Sequence, residues 1–424
     1  MGACSKSSCA PRPKAAKGAV ALFAAAAFLG GCAALPLQRV SAGFKAAPGC
    51  TTAEMAITFD FEGAAPARCV IEGPRAVALL IGPEHAPPIN ASPWYAFRYR
   101  AAPGAPVAVT LRYLVARHRY TPKLASGGTI VELPAAVGAD GRSARLELTP
   151  GTGIVSAQPI VSSASYADFA RRLQSDHGAR GLTLGRSLDG RAIEALRFGS
   201  PMASHLIVLL GRQHPPEVTG HYAMEAFVLE LAAQIEADAA LARRYQVLAV
   251  PLLNPDGVAL GHWRANRGGV DLNRDWGTFH QPETRAVRDF LNKLPANIRP
   301  VAQIDFHSTS RNLFYVQGQE ATEGQRKFVD DWLVGKEAIF PGYDFIILRT
   351  NADQGPGTSK NWFHRSYGIP AITYEVGDGT DRASAARSAR RLARDYLVAL
   401  DKMQASAPVS ATQDEPTSTG AKFP

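Results

Sequence analysis

The sequence predicts two domains of different class, a small antiparallel β domain followed by an α/β domain. Three observations lead to this prediction. The chain of 424 residues is longer than one small hydrophobic core requires. Up to about Val161, short apolar runs are separated by Gly, Pro, Asn and Asp, which is typical of antiparallel strands. Beyond that point, apolar strand patterns alternate with helical patterns, which indicates an α/β layer structure.

Residues 1–31 are predicted to be an export signal. Four basic side chains precede an apolar run at 18–31 (GAVALFAAAAFLGG), which is too short to span a bilayer as a helix. The run continues as Leu-Gly-Gly into Cys32, and this pattern resembles a bacterial lipobox, in which the thiol is acylated. We therefore expect a lipoprotein of the bacterial cell envelope, anchored to a membrane through Cys32 and followed by a linker at 32–50. The alternatives are an ordinary signal peptide and a buried apolar helix.

Two of the cysteines that remain after cleavage, Cys50 and Cys69, are predicted to form a disulfide. If Cys32 carries lipid, these two form an even pair in an oxidising compartment. The alternative is two separate buried thiols.

The net charge of +9 does not indicate a nucleic-acid partner. The basic residues of the export signal account for part of it, and the rest is scattered without a long Lys/Arg run. Basic and apolar residues alternate at 112–123, and this stretch is interpreted as a strand with one solvated face.

The β domain is predicted at 51–161 and is expected to resemble a β-sandwich. Its strand candidates are Met55–Phe61, Arg75–Ile81, Trp94–Tyr99, Val107–Leu114 and Ala144–Leu148. No group of His, Glu or Asp in this region has the spacing of metal ligands, so no chemistry is assigned to it.

The α/β domain is predicted at 162–403. Its strand candidates are His205–Leu210, Gln246–Leu253, Val301–Phe306, Phe345–Arg349 and Ala371–Val376. Its helix candidates are Ser163–Asp176, Val218–Ala237, Glu283–Leu294, Glu323–Gly335 and Arg382–Met403. Residues 404–424 are rich in Ser, Thr, Pro and Ala, which predicts a disordered tail.

Candidate metal ligands lie at the ends of two predicted strands, where α/β proteins commonly place functional residues. His214 and Glu217 are three residues apart, so a tight turn can aim an imidazole nitrogen and a carboxylate at one ion. His307 is a candidate third ligand, and Asp305 can orient it from the same face of the strand. Two nitrogens and one carboxylate leave a fourth zinc position open for water. Taken singly, Glu217 could instead stabilise a helix N-terminus, and His307 could be structural.

Glu375 interrupts a third apolar strand. Burying an unpaired carboxylate is costly, so this residue is expected to have a partner or a task. Accepting a proton from zinc-bound water is the task that fits, and a structural salt bridge is the alternative.

Arg264, Asn273 and Arg274 are candidates for contacts with substrate. Arginine forms bidentate pairs with carboxylates, as recognition of a peptide C-terminus requires. An arginine near zinc can also stabilise the oxyanion of a tetrahedral intermediate. For either arginine alone, the alternative is a surface ion pair.

These motifs occur in one fixed order along the chain. The order is His-x-x-Glu at 214–217, Asn-Pro-Asp-Gly at 254–257, Trp-Arg at 263–264, Asp-x-Asn-Arg at 271–274, His-Ser at 307–308 and Thr-Tyr-Glu at 373–375. From about 182 to 400, the ordered set strongly resembles the zinc carboxypeptidases of the carboxypeptidase A superfamily. The aromatic stretch at 94–99 (WYAFRY) is similar to the β domain of the cytosolic-carboxypeptidase-like branch. The resemblance implies a three-layer α/β/α domain with a mixed sheet.

The resemblance also implies a cofactor and a set of roles. It makes His214, Glu217 and His307 the ligands of Zn²⁺. Glu375 becomes the general base, and Arg264 becomes the group that polarises the scissile carbonyl.

In the same way, Asn273 and Arg274 are implied to hold the terminal carboxylate of a peptide substrate. The family usually has a mobile Tyr upstream of its catalytic Glu, but residues 350–362 (TNADQGPGTSKNW) contain none, and Asp353 lies near the expected place. Lys360, in the same predicted loop, lies near the position that reads the terminal side chain, and a cation there favours an acidic partner. The alternative is a solvated loop lysine.

The sequence therefore predicts a zinc metallopeptidase of the carboxypeptidase type, which hydrolyses C-terminal amide bonds of peptides such as those of the cell wall. Two other functions stay open at this point. One is a zinc-dependent deacylase or amidase acting on N-acyl amino acids, which also carry a carboxylate. The other is a catalytically silent lipoprotein that binds peptides.

Overall fold

The structure is a computed structural model that describes residues 49–351 and 357–406. The predicted export signal, the lipid site Cys32, Asp353 and residues 407–424 of the predicted tail lie outside the described residues. Residues 404–406, which were also predicted to belong to the disordered tail, instead form the end of the last helix. Among the helices of the described part, none is both long enough and apolar enough to cross a membrane.

The N-terminal region is built from two β-sheets. Its strands are β1 Cys50–Thr51, β2 Met55–Thr58, β3 Arg68–Gly73, β4 Ala76–Ile81, β5 Ala96–Ala101, β6 Val107–Tyr113, β7 Lys123–Ser126, β8 Thr129–Glu132, β9 Ala136–Val137, β10 Ser143–Leu148 and β11 Gly151–Ser156. The first sheet has the order β1-β2-β5-β11-β7-β8, and the second has the order β3-β4-β6-β10-β9. Neighbouring strands run antiparallel except β4 and β6, which are parallel. The predicted antiparallel β domain is thus confirmed, with one parallel pair.

One hydrophobic core joins these two sheets. Ile57 and Phe97 enter it from the first sheet, and Val77 and Leu111 enter it from the second; all four are fully buried. A disulfide between Cys50 of β1 and Cys69 of β3, with the Cα atoms 5.7 Å apart, adds a covalent link between the sheets.

The stretch at 112–123 is not the single strand that its basic and apolar alternation suggested. Strand β6 ends at Tyr113 and β7 begins at Lys123, and the residues between them form a loop. Leu114 and Val115 are exposed, so the alternation there does not correspond to a buried strand face. This loop carries Arg119 and Tyr120 toward the second domain.

The second domain contains one eight-stranded sheet. Its strands are β12 Arg180–Arg186, β13 Ala192–Gly199, β14 His205–Gly211, β15 Tyr245–Val250, β16 Arg299–Thr309, β17 Asn312–Gln317, β18 Phe345–Thr350 and β19 Ala371–Gly377, in the order β12-β13-β15-β14-β16-β19-β17-β18. The central strands β15, β14, β16 and β19 are mutually parallel. Strand β13 runs antiparallel to both of its neighbours, β12 and β15, and β17 runs antiparallel to β19 but parallel to β18. The predicted mixed sheet is confirmed.

Helices cover both faces of this sheet. They are α1 Ser163–His177, α2 Val218–Ala237, α3 Ala239–Arg244, α4 Pro255–Ala259, α5 Pro282–Asn292, α6 Glu323–Leu333, α7 Ser359–Tyr367 and α8 Arg382–Ser406. Tyr396 of α8 shares a core with Ile207 of β14, and Phe363 of α7 shares a second core with Val208 of the same strand. Because adjacent strand residues point to opposite faces, these two cores lie on opposite sides of the sheet, giving the predicted three layers.

Helix α7 corrects the prediction of a loop for residues 359–362. Thr358 caps the N-terminus of the helix, and its Oγ1 accepts a hydrogen bond from the Asn361 backbone N–H at 3.2 Å. Gly368 ends it in the left-handed conformation, at a φ of 62°. The nine-residue sequence is mainly polar and aromatic, so burial of Phe363, rather than a repeated aliphatic pattern, accounts for the helix.

The β domain packs against loops of the α/β domain. The Gly63 N–H donates to the Ala259 carbonyl at 3.0 Å, and Arg119 forms an ion pair with Asp378, which follows β19. In the opposite direction, Trp263 of the α/β domain packs against the β-domain core. These contacts place part of the β domain beside the carboxyl ends of the central strands.

Candidate metal centre and active site

The parallel strands position the three predicted metal ligands. His214 follows β14, Glu217 precedes the first residue of α2, and His307 lies in β16 near its carboxyl end. Adjacent parallel strands end at the same edge of a sheet, so residues distant in sequence meet there. One ligand atom from each of the three residues lies within 4.8 Å of the others.

The geometry of this cluster fits a shared metal ion. The two carboxylate oxygens of Glu217 each lie 2.8 Å from a histidine Nδ1, one belonging to His214 and one to His307. Both histidines are almost fully buried. Two imidazole nitrogens and one carboxylate are a common zinc donor set that leaves a coordination position for water.

The Nε2 atom of each histidine lies beside the carboxylate of an aspartate. His214 Nε2 lies 2.9 Å from Asp271 Oδ1, and His307 Nε2 lies 2.8 Å from Asp305 Oδ2. Such contacts fix the ring orientation and direct Nδ1 toward the ion. The sequence suggested Asp305 for this role, whereas the corresponding role of Asp271 was missed, although the residue belongs to a recognised motif.

Neighbouring charges lower the pKa values of two buried acids at the cluster. Burial opposes ionisation of Glu217, but His214 and His307 hold its pKa well below the usual range. Asp271 is also buried, and His214 together with Arg264 holds the pKa of that carboxyl well below its usual range. Both acids are therefore anionic at neutral pH, as a cation site requires.

Glu375 differs from these paired acids. It lies on β19 directly beside His307 of β16 in the sheet register. Its Oε2 is buried and has no hydrogen-bond partner among the described residues. Burial raises the pKa of Glu375 to about 7, although His307 opposes the shift. A carboxylate with a pKa near neutrality is suited to accept and return a proton.

All eight predicted active-site residues line one cleft of about 820 Å³. They are His214, Glu217, Arg264, Asn273, Arg274, His307, Lys360 and Glu375. Cys50 and Cys69 are in the β-sandwich instead, and Cys32 lies outside the described residues.

The three candidate substrate contacts in this cleft are held differently. Arg264 Nε donates to Asp271 Oδ2 at 2.6 Å, which links this guanidinium to the His214 side of the cluster. Arg274 lines the cleft, is exposed, and donates to the Asn273 carbonyl at 2.7 Å. The Asn273 side chain accepts from the Ser359 N–H and lies 3.3 Å from His307 Nε2, so it also braces the cluster.

Lys360 lies in the first turn of α7 rather than in a loop, which corrects its predicted setting. Its side chain is buried, and Nζ donates to the Thr350 carbonyl at 3.1 Å. Burial lowers the pKa of Lys360 to about 8. The alternative of a freely solvated lysine is therefore wrong.

Sequence reasoning missed the residues that the β domain adds to the same cleft, namely Asn90, Arg119 and Tyr120. Arg119 donates to Asp378 Oδ2 from Nε at 2.8 Å, and its guanidinium lies 5.2 Å from the ring centres of both Tyr120 and Trp263. No motif marks these residues, because they lie in loops between strands of another fold class.

A mixed sheet that carries a His-Glu-His cluster at its carboxyl edge defines a class of α/β metalloprotein. Within this class, the chain belongs to the zinc carboxypeptidase family, whose sequence profile matches residues 166–396, more than half of the chain. Zinc is accordingly the metal that the cluster is suited to hold.

Curated relatives include cytosolic carboxypeptidases. The chain is 32% identical to cytosolic carboxypeptidase 2 of Xenopus tropicalis over 226 residues, which are 47% of this chain and 23% of that protein. It is 31% identical to cytosolic carboxypeptidase 6 of Caenorhabditis elegans over 202 residues, which are 45% of this chain and 44% of that protein. The match thus spans less than half the length of each of these relatives.

Solved structures show the same fold at lower sequence identity. A metallo-carboxypeptidase from Burkholderia cenocepacia has a TM-score of 0.68 at 22% identity and covers 82% of this chain and 99% of its own. A metallo-carboxypeptidase from Pseudomonas aeruginosa, solved in complex with (2-guanidinoethylmercapto)succinic acid, has a TM-score of 0.66 at 21% identity, with coverage of 82% and 99%. This coverage exceeds the region matched by the family profile, so the shared fold extends into the β domain.

Proposed function

We propose that this protein is a zinc-dependent metallocarboxypeptidase that releases C-terminal residues from peptides. The observation that carries the proposal is the cleft itself. It places the His214, Glu217 and His307 cluster beside a buried carboxylate that lacks a hydrogen-bond partner in the described structure, Glu375. A binding protein has no need of a proton acceptor at that position.

Each residue of the cleft has a distinct part in the proposed hydrolysis. Zinc held by the three ligands would supply Lewis acidity and lower the pKa of a bound water. Glu375 takes a proton from the water that adds to the carbonyl carbon, and it returns a proton to the amine as the C–N bond breaks. Arg264 donates to the carbonyl oxygen as negative charge develops on it.

The same cleft offers cations for the end of the substrate. Arg274 is exposed and lines the cleft, and a guanidinium matches the planar geometry of a terminal carboxylate. Lys360 uses one Nζ donor on the Thr350 carbonyl, and an ammonium group carries three. We therefore propose that Lys360 contacts an acidic side chain on the terminal residue.

Metal content and peptide release, measured on wild type beside His307→Ala, test the proposed activity. We expect about one zinc per wild-type chain, and loss of both metal and hydrolysis in the variant. His177→Ala is a suitable control, because His177 lies at the end of α1 and pairs with Glu236 outside the cleft. Zinc binding without release of C-terminal residues from a peptide library would contradict the proposal.

Substrate class needs a separate comparison. N-acyl amino acids also present a carboxylate to Arg274, so turnover of these compounds and of matched peptides distinguishes a deacylase from a peptidase. Among peptides, we expect faster release of Glu and Asp than of Gln and Asn, and Lys360→Met should reduce this difference. Equal rates for acidic and amide termini in the wild type would exclude the role of Lys360.

The cellular site is a further part of the proposal. Acylation of Cys32 would place the enzyme at the cell envelope, where cell-wall peptides are available as substrates. The support is the lipobox-like sequence before Cys32. Cys32→Ala should move the protein from the membrane to the soluble fraction and abolish incorporation of labelled fatty acid. Membrane association that is unchanged in this variant would argue against the anchor.

A further inference from the structure

The loop after β4 carries one acid from the β domain to the α/β domain. Glu84 Oε1 accepts hydrogen bonds from two consecutive backbone N–H groups, those of Arg264 at 2.7 Å and Ala265 at 2.8 Å. A carboxylate that accepts from main-chain donors forms stronger hydrogen bonds than a neutral acceptor does. The contact therefore restrains the backbone of Arg264 from outside its own domain.

The segment that contains Arg264 lies outside helices and strands. It follows the short helix α4 and contains no helix or strand before the 3-10 turn at 272–274. Neighbouring β-domain contacts hold the same segment from two sides. The ring of His85 lies edge-on to the ring of His262, and a side chain at Gly261 would collide with the Ala64 carbonyl.

A short chain of contacts leads from Glu84 to the metal cluster. Arg264 Nε donates to Asp271 Oδ2 at 2.6 Å, and Asp271 Oδ1 lies 2.9 Å from His214 Nε2. Moving the Arg264 backbone would displace its guanidinium both from the cleft and from the carboxylate that orients His214. Catalysis depends on such geometry, because small displacements of a positioned group reduce the rate strongly.

We propose that Glu84 is a positioning residue, through which the β domain holds Arg264 in the orientation that the reaction requires. This inference rests on the proposed peptidase function and adds a residue to it. The β domain is then part of the working active site as well as a packing partner of the α/β domain.

The first test compares Glu84→Ala with Glu84→Gln by steady-state kinetics. We expect kcat for peptide hydrolysis to fall at least about tenfold in the alanine variant, since loss of one oxyanion donor costs 10² or more. KM should change less than kcat. Glutamine keeps an oxygen that can accept from both N–H groups, so Glu84→Gln should retain kcat within about threefold. Glu54→Ala serves as the matched control, because Glu54 pairs with Arg75 inside the β domain.

The second test is hydrogen exchange over residues 262–267, which does not depend on activity. The Arg264 and Ala265 amides should exchange at least about tenfold faster in Glu84→Ala than in wild type, and at the wild-type rate in Glu84→Gln. If the alanine variant does not fold, Glu84→Asp keeps the charge but shortens the reach, and it should lose both protection and kcat.

The outcomes separate this inference from the proposed function. A wild-type protein that binds zinc but hydrolyses no peptide removes the proposed function, while the exchange data still decide whether Glu84 restrains this segment. A folded Glu84→Ala protein with wild-type kcat overturns the inference. So does a glutamine variant that keeps amide protection but loses kcat, because charge rather than position would then matter.

Discussion

The β domain and the α/β domain contribute to the same cleft by different means. The α/β domain supplies His214, His307 and Glu375 from the ends of adjacent strands, where the sheet itself sets their spacing. From loops between its strands, the β domain places Arg119 in the cleft and Glu84 against the backbone of Arg264, which lines the cleft. The difference indicates that the α/β domain supplies the reacting groups, whereas the β domain restrains the residues around them.

The largest effect is expected when Glu375, the proposed proton acceptor in the α/β domain, is replaced. Glu375→Gln should lower kcat by about 10³-fold, equivalent to about 4 kcal/mol in transition-state free energy, with zinc content unchanged. The reason is that glutamine keeps the shape of the side chain but cannot accept the proton from water. Steady-state kinetics and metal analysis of the purified variant check this.

A second buried glutamate provides the control for that change. Glu283 is fully buried in the α/β domain, one of its oxygens lacks a partner within the described residues, and burial raises its pKa to about 7. It does not line the cleft. Glu283→Gln should therefore keep the wild-type kcat, and a comparable loss in both variants would refute the assignment of Glu375.

The next test measures how much the disulfide of the β domain contributes to stability, with no change expected in activity. Replacing both Cys50 and Cys69 by serine should lower the free energy of unfolding by about 3 kcal/mol, as expected for opening a loop of this length, with a sequence separation of 19. Activity measured well below the melting temperature should stay unchanged, since the disulfide is not part of the cleft. Denaturant titration of oxidised wild type and the double variant measures the effect; equal midpoints would contradict it.

Much of the α/β domain was predictable because its apolar periodicity agrees with its packing. Helix α2 has the predicted bounds Val218–Ala237, and the predicted ligands lie together as expected from strand-end positions. Helix α7 was missed because Phe363 stabilises it through tertiary burial, which leaves no aliphatic repeat in the sequence. Strand β12 was missed because its sequence, RGLTLGR, combines glycines with half-exposed residues.

The contribution of the β domain to the cleft could not be predicted in the same way. Glu84 acts on backbone N–H groups, which any residue type presents, so no pairing pattern appears in the sequence. Arg119 meets Asp378 across 259 residues, and this contact exists only once the two domains are packed. The sequence contains no local signal for a contact between residues so far apart.

The contact between the domains should respond to pH through Asp378. Burial raises the pKa of Asp378 to about 6 from an ordinary value of 3.8, although Arg119 opposes the shift. The folded protein thus binds more protons than the unfolded chain between about pH 4 and 6, and this group makes the fold less stable as pH rises through that window. Asp378→Asn removes the dependence, so its stability relative to wild type should increase by about 2 kcal/mol from pH 4 to pH 7. Urea titrations at both pH values test this, and parallel curves would contradict it.

The smallest effect is expected for Arg119 itself, the cation that the β domain places in the cleft. Arg119→Ala removes a side chain that lines the cleft and packs over two aromatic rings, without contacting the metal cluster. We expect KM for peptides to rise about tenfold, or about 1.4 kcal/mol, with kcat changing little. The reason is that a contact between Arg119 and the bound peptide would be equally strong before the reaction and in its transition state. Arg98→Ala is the matched control, since Arg98 also pairs with an acid and lies over an aromatic ring in the β domain, but outside the cleft. An unchanged KM in Arg119→Ala would confine the influence of the β domain to the positioning of Arg264, whereas a loss in kcat would place Arg119 among the groups that act in the transition state.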